Sequence, residues 1–350
     1  MFYELIYTRC KHGFDILRGG QAVTGEGYKV YACTPQLIDE KNLDLNFLAN
    51  AVQTKQSYSD PDFMDDAYLY FAPDFGSGFM IDFHPVIYDK NAEGNYSHRP
   101  GNFLNHVLIG DYSEKYPFEL FKNKKIWNAR EKNEAYYYET DPSDLCEHGE
   151  INNYKSYYTF EDIKAFVADG RVEALAKTVS FLITQFEKKP ENRKYLVIKD
   201  ESSENIEKWI AAVECAFSPR IAAAIPFATR MDNFITANRY TINQTGKFVL
   251  NINLQDPKQK KRFRAMIIGV DTRDKSNNKT ENPPAGSPFV LLNGIDKKAL
   301  FEADISNNFF RLITSFTDEH KYFCRVFLQK QNINSPDKKI FNLYKIFLQA

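Results

Sequence analysis

Lys194-Tyr195-Leu196-Val197-Ile198-Lys199 is short, and its apolar residues are consecutive rather than alternating. A strand with one wet face alternates, so this run is expected to be buried on both faces, as in a parallel sheet. On its C-terminal side Ser203 reads as a helix N-cap, with Glu204 and Glu207 in the first turn and Ile206, Ile210 and Val213 on the inward stripe. On its N-terminal side Thr159, with Glu161 and Asp162 behind it, opens a helical stretch. Its Val172, Leu175, Val179, Leu182, Ile183 and Phe186 recur at helical spacing until Pro190 ends it. A second apolar run, Phe263-Arg264-Ala265-Met266-Ile267-Ile268-Gly269-Val270-Asp271, follows downstream. Helix, strand, helix, strand in this order predicts a small α/β domain over residues 156–275 with a partly parallel sheet.

Upstream, residues 1–130 read as a β-rich N-terminal domain. Tyr3 to Tyr7, Tyr28 to Cys33, Ala67 to Ala72, Phe79 to His84, Val86 to Tyr88 and Phe103 to Ile109 are aromatic and β-branched runs separated by glycine-rich or polar turns. Pro35 to Ala51 fits a helix. Residues 131–155 form a tyrosine-rich acidic linker without visible period. Asp274 to Pro288 is a polar loop with Pro283-Pro284 that marks a boundary. Residues 289–350 read as a helical segment, with helices at Ile305 to Ile313, Asp318 to Gln329 and from Pro336, where Ser335 is the N-cap. The last helix still presents Ile340, Leu343, Ile346 and Phe347 as it reaches Ala350, the pattern expected of the front part of a longer chain. The fold class is therefore α+β to α/β and multi-domain.

Composition narrows the function classes. A chain of 350 residues exceeds one ordinary core, and 43% hydrophobic content gives enough material for globular folding. A net charge of −1 draws the chain to neither nucleic acid nor anionic lipid. There is no long apolar run for a membrane span, and Met1 to Phe14 carries charges where the apolar stretch of a signal peptide would sit. Cys10, Cys33, Cys146, Cys215 and Cys324 are scattered and odd in number, as expected of reduced thiols in a cytoplasm.

Chemistry-bearing constellations are sparse. Cys10 and His106 are the one pair of a nucleophile and a base, with Asp111 to hold the imidazole tautomer. The competing reading is a core cysteine and a packed histidine. Asp82 and His84 share a strand face, but the spacing indicates no third metal ligand, so no metal is expected. The glycines at 19, 20, 25 and 27 make no dinucleotide fingerprint, and Gly246-Lys247 has Thr241 and Phe248 where a phosphate loop needs Gly and Ser or Thr. No cofactor is expected. Lys258, Lys260, Lys261, Arg262 and Arg264 form a basic run that suits a solvated lead-in or a phosphate contact. Arg220 and Arg230 flank Pro226-Phe227-Ala228-Thr229. Tyr136, Tyr137 and Tyr138, followed by Tyr154, Tyr157 and Tyr158, suit a docking surface or a packed strap.

Several segments carry a resemblance. Tyr7-Thr8-Arg9-Cys10 with Gly13, and Arg99-Pro100-Gly101-Asn102-Phe103-Leu104-Asn105-His106-Val107-Leu108-Ile109, form its first part. Trp209-Ile210-Ala211-Ala212, Ser218-Pro219-Arg220, Ile225 to Thr229 and Ile267 to Asp271 form the second. In this order they resemble the N-terminal and middle regions of the GTPase-associated protein 1 family, over roughly residues 1–275, with departures at Arg9 and in the stretch after Cys10. That family is encoded beside small GTPases in bacterial conflict systems. The resemblance implies a non-enzymatic adaptor or scaffold of an antiviral-type system whose partners are proteins, a small GTPase among them, and not nucleic acid. The alternative is a cysteine-dependent hydrolase effector using Cys10 and His106.

Overall fold

The computed structural model describes residues 2–15, 21–35, 67–71, 78–85, 103–131, 137, 154–189, 192–230, 265–273, 288–333 and 335–349. The fold is mixed α+β, with a β-rich N-terminal sheet, partly parallel strands and C-terminal helices. The strands are β1 (Phe2–Asp15), β2 (Gln21–Cys33), β3 (Ala67–Phe71), β4 (Gly78–Pro85), β5 (Phe103–Gly110), β6 (Tyr195–Asp200), β7 (Phe227–Ala228), β8 (Ile267–Asp271), β9 (Phe289–Asn293) and β10 (Lys298–Ala299). They form one sheet in the order β10-β9-β6-β8-β7-β3-β4-β5-β1-β2.

The seam of this sheet is β7. It pairs antiparallel with β3 through Leu69↔Ala228 and Tyr70↔Phe227, and parallel with β8 through Phe227↔Ile267. Thr229 prolongs the pairing: its N–H donates to the Tyr68 carbonyl at 2.9 Å, and its hydroxyl accepts from the Tyr68 N–H at 2.9 Å. Everything on the β3 side is antiparallel. On the other side β6 runs parallel to β8, as the apolar runs predict, and also to β9. Gly269 in β8 permits the close approach at the seam, because a Cβ there would lie 2.1 Å from the Thr229 carbonyl oxygen and 2.4 Å from Ile206 Cγ2.

The helices are α1 (Phe160–Ala168), α2 (Val172–Phe186), α3 (Ser203–Cys215), α4 (Pro219–Ala222), α5 (Asn308–Ile313), α6 (Asp318–Tyr322) and α7 (Lys339–Phe347), with a π-helical turn at Phe323–Leu328. The single helix expected after Thr159 is two. Thr159 and Asp162 form a reciprocal capping box on α1, but Gly170 takes φ +71 and breaks the run before α2. The N-cap of α3 is Ser202, one residue before the expected Ser203. Strands β9 and β10 correct the expectation of helix from residue 289: Phe289-Val290-Leu291-Leu292 is a short apolar run between Pro288 and Gly294, of strand length. The last helix begins at Lys339, because Asp337 turns back to accept the Lys339 N–H on its side chain at 2.9 Å. The expected helix at 35–51 and the strand at 86–88 lie outside the described residues apart from Pro35, which is in a turn.

α3 is buried nearly all round, including Glu207, Trp209 to Cys215 and Ile206. The reason is a cover segment, residues 111–131, which lies between α3 and the antiparallel sheet. Tyr116 donates its hydroxyl to the Phe217 carbonyl at 2.9 Å, and the Phe118 N–H donates to Glu214 Oε2 at 2.9 Å. On its sheet side Phe121 stacks on Tyr68 at 4.8 Å and meets Phe227 edge-on at 5.6 Å. In the C-terminal helices, His320 is fully buried between Phe160 and Phe316. Burial lowers its pKa to about 4.

Two predictions follow from packing. Gly269→Ala pushes a methyl into rigid backbone, and we expect a loss of about 2 to 3 kcal/mol in a denaturant titration. His320 is neutral when folded and takes a proton near pH 6.5 when unfolded, so its contribution is present above that pH and is lost as pH falls toward 4. Between pH 7 and pH 4.5 this amounts to on the order of 2 kcal/mol. Comparing urea midpoints of the wild type and His320→Gln across that window isolates it; identical slopes would refute the assignment.

Candidate functional site

A row of polar side chains crosses the sheet beneath the cover segment. The register aligns Ile6↔His106, Asp82↔His106 and Tyr68↔Asp82 across β1, β5, β4 and β3. Residues directly opposite share a face, and the period of two adds Glu4 to that face. Glu4, Asp82 and His106 are all buried. His106 Nε2 lies 3.9 Å from Glu4 Oε2, and the ring meets Trp127 edge-on at 5.3 Å. Arg130 approaches from the cover segment, with Nη1 at 4.0 Å from Asp82 Oδ2 and 3.4 Å from the Tyr68 hydroxyl.

The row continues toward α3 through Tyr68. Its hydroxyl accepts the Lys122 backbone N–H at 2.8 Å. Lys122 is non-glycine yet left-handed, with φ +54, a conformation that costs roughly 1 kcal/mol and points to a constraint at that residue. Its ammonium lies 3.0 Å from Glu207 Oε2 and donates to the Tyr158 hydroxyl at 3.1 Å. Tyr158 in turn donates to Glu207 Oε2. Burial, with Glu207 beside it, pushes the Tyr158 pKa far above that of an ordinary phenol, so the hydroxyl keeps its proton. Glu207 is 1% exposed and belongs to α3; Lys122 is the member that reaches solvent. The arrangement couples the antiparallel sheet to the parallel half through ion pairs and hydrogen bonds.

The structure does not bring Cys10 and His106 together. His106 faces Ile6, and Cys10 lies four residues farther along β1, about 13 Å at 3.3 Å per residue. Cys10 packs with Ile6, Tyr31, Leu104, Ala129 and Tyr137. Burial raises its thiol pKa to about 11, with Lys29 opposing, so the thiol is protonated at neutral pH. Asp111 is exposed beyond the end of β5 and accepts the Ser113 N–H at 2.8 Å, a turn contact five residues from His106. The physical reason for the separation is register: a strand places only every second residue on one face, and matching faces do not make matching positions.

The other candidates divide. Tyr137 is buried, donating its hydroxyl to the Ala129 carbonyl and packing edge-on against Tyr31 at 5.0 Å, so it ties down the cover segment. Tyr157 is 55% exposed, whereas Tyr158 belongs to the buried row. Arg220 is half-buried in α4, its backbone N–H 3.5 Å from Gln329 Oε1, and Arg230 is buried just after the seam. Tyr136, Tyr138, Lys258, Lys260, Lys261, Arg262 and Arg264 lie outside the described residues. Among the described residues no three His, Cys, Asp or Glu side chains converge for a metal ion, and no helix is long and apolar enough to cross a membrane. Sequence reasoning missed Glu4, Lys122, Arg130 and Glu207; the signal for Glu4 and Asp82 was a charge inside an apolar strand run.

No family model matches the chain, and no curated protein matches it.

The Lys122–Glu207 contact gives a direct test. Lys122→Met leaves a buried carboxylate without its ammonium and is expected to destabilise by on the order of 2 kcal/mol. Adding Glu207→Gln removes the orphaned charge, so the double variant is expected to recover part of that loss in a double-mutant cycle. Strict additivity of the two single losses would show that the pair is uncoupled.

Proposed function

We propose that the chain is a non-enzymatic adaptor or scaffold that works in the cytoplasm by docking partner proteins, a small GTPase of a bacterial antiviral-type conflict system among them. The resemblance of residues 1–275 to the GTPase-associated protein 1 family supports the context. The observation that carries the docking reading is the β1–β2 hairpin. Among the described residues β1 pairs with β5 as far as Thr8, Arg9–Asp15 pairs with β2, and β2 is the last strand of the described sheet order. Gln21, Ala22, Thr24, Gly25 and Glu26 on β2 are exposed. A sheet margin of this kind is a common site for a partner strand, with main-chain hydrogen bonds supplying affinity. The hydrolase alternative needs a thiolate and an imidazole in contact, and Cys10 and His106 are held apart with the thiol buried.

The test is retention of purified small GTPases, in GTP- and GDP-loaded forms, on the immobilised chain. Nucleotide-dependent retention that is lost when Thr24 is replaced by proline supports the reading; no retention of any form overturns it. In parallel, peptide-resolved alkylation across pH is expected to find Cys10 slow at neutral pH, consistent with its raised pKa. An apparent pKa below about 7.5, abolished by His106→Ala, would reinstate the hydrolase.

A further inference from the structure

A groove of about 590 Å³ lies between α1, α2 and the segment that runs from Ile305 through α5 to Phe316. Val167, Val172, Ala176, Ile305, Phe310 and Phe316 give it an apolar lining. Val172, at the first position of α2, is 43% exposed there. Volumes of this size suit a small ligand. Phe316 has a left-handed backbone, with φ +52, which bulky side chains rarely adopt. Strain of this kind concentrates at ligand clamps and switch regions.

Most polar groups on the lining already have partners. Thr314 donates its hydroxyl to the Phe310 carbonyl at 2.7 Å, and Ser315 donates to the Leu312 carbonyl at 2.6 Å. Among the described residues the lining has one acid, Glu173, which lies 3.1 Å from the Lys177 ammonium. Its two cations are less engaged. Lys164 approaches Glu161 only to 3.9 Å, and Glu161 lies closer to Lys321, at 3.5 Å. Arg311 is exposed and has no hydrogen-bond or ion-pair partner among the described residues.

The groove thus offers a ligand apolar contact and two cations, with its hydroxyls and its acid taken up elsewhere. An extended peptide would bring amide groups that such a lining leaves unpaired, at a cost. A hydrocarbon chain brings none. We propose that the groove binds a medium-chain fatty acid, its chain on the apolar lining and its carboxylate on Arg311, with Lys164 as the second cation. A planar carboxylate matches the guanidinium fork. An alkyl cation of the same length would meet Arg311 and Lys164 as like charges. This assignment is independent of whether the chain docks a GTPase.

Isothermal titration of the full chain tests it with three probes kept below micelle formation: decanoate, octanoate and decyltrimethylammonium. We expect decanoate to bind, and octanoate to bind about tenfold more weakly because two methylenes leave the lining. Arg311→Gln is expected to weaken decanoate at least about fivefold. Arg311→Lys keeps the charge but loses the fork, and is expected to fall between wild type and Arg311→Gln. Val172→Glu, at an exposed helix position, sets a charge on the apolar lining and is expected to abolish binding, whereas Lys345→Gln on α7 leaves it unchanged. Circular dichroism checks that each variant is folded. No binding of decanoate up to about 5 mM, equal affinity for octanoate or decyltrimethylammonium, or equal affinity in folded Arg311→Gln overturns the proposal.

Discussion

The pairing of Phe227 and Ala228 with two different strands is the constraint on which the rest of the architecture depends. A two-residue strand contributes few hydrogen bonds, yet it is the only described link between the antiparallel and parallel parts of the sheet. Its strength comes from side chains. Phe227 is fully buried, stacked on Tyr70 at 5.4 Å and capped edge-on by Phe121. Aromatic contacts of this kind add about 0.5 to 1.5 kcal/mol each beyond the area they bury. The Thr229 hydroxyl stands in for a further ladder partner, and the missing Cβ of Gly269 lets the backbones close. Remove the seam, and the two halves would be held mainly by the cover segment.

The cover segment explains why charged groups are tolerated under it. Glu4, Asp82, His106, Arg130, Lys122 and Glu207 are ionisable groups at the interface between sheet, cover and α3, where Lys122 pairs with Glu207, Arg130 approaches Asp82 and the His106 ring lies 3.9 Å from Glu4. Such groups are poor sources of net stability compared with apolar packing. They do discriminate between registers. A slip of one residue in β4 or β5 would turn Asp82 or His106 to the other face and strand the remaining members of the row. The row therefore specifies which alignment of four aromatic-rich strands is native, something that Phe and Tyr contacts alone enforce weakly.

How much of this was legible in the sequence depended on the range of the interaction. The parallel strands β6 and β8 were readable because consecutive apolar residues require burial on both faces. The α1 capping box was readable because Thr159 and Asp162 are three residues apart. The extent of β1 was not, since Arg9, Lys11 and His12 lie on the part of β1 whose described partner is β2 and carry no apolar signal. β9 does not declare itself as a strand, because a short apolar run carries no period of its own. Asp82 stood out as a charge in an apolar strand, but nothing local says that Lys122 will meet Glu207. The Cys10–His106 pair shows the converse: correct residue types on one face still fail when the register sets them four positions apart.

The order in which the chain is synthesised gives the cover segment a further consequence. Its anchors on α3 and just beyond it lie far downstream: Phe118 reaches Glu214 and Tyr116 reaches Phe217 across sequence separations of 96 and 101 residues. The seam closes later still, with Tyr68 and Thr229 separated by 161. Closing such long loops is slow. While the ribosome is still making the middle of the protein, β3 has its outer edge open and the polar row has only half its roof. An aromatic sheet with an open edge invites pairing with another nascent copy. The first half of this molecule is thus the portion most in need of a holding chaperone, and its yield should depend on how quickly residues 203–229 emerge.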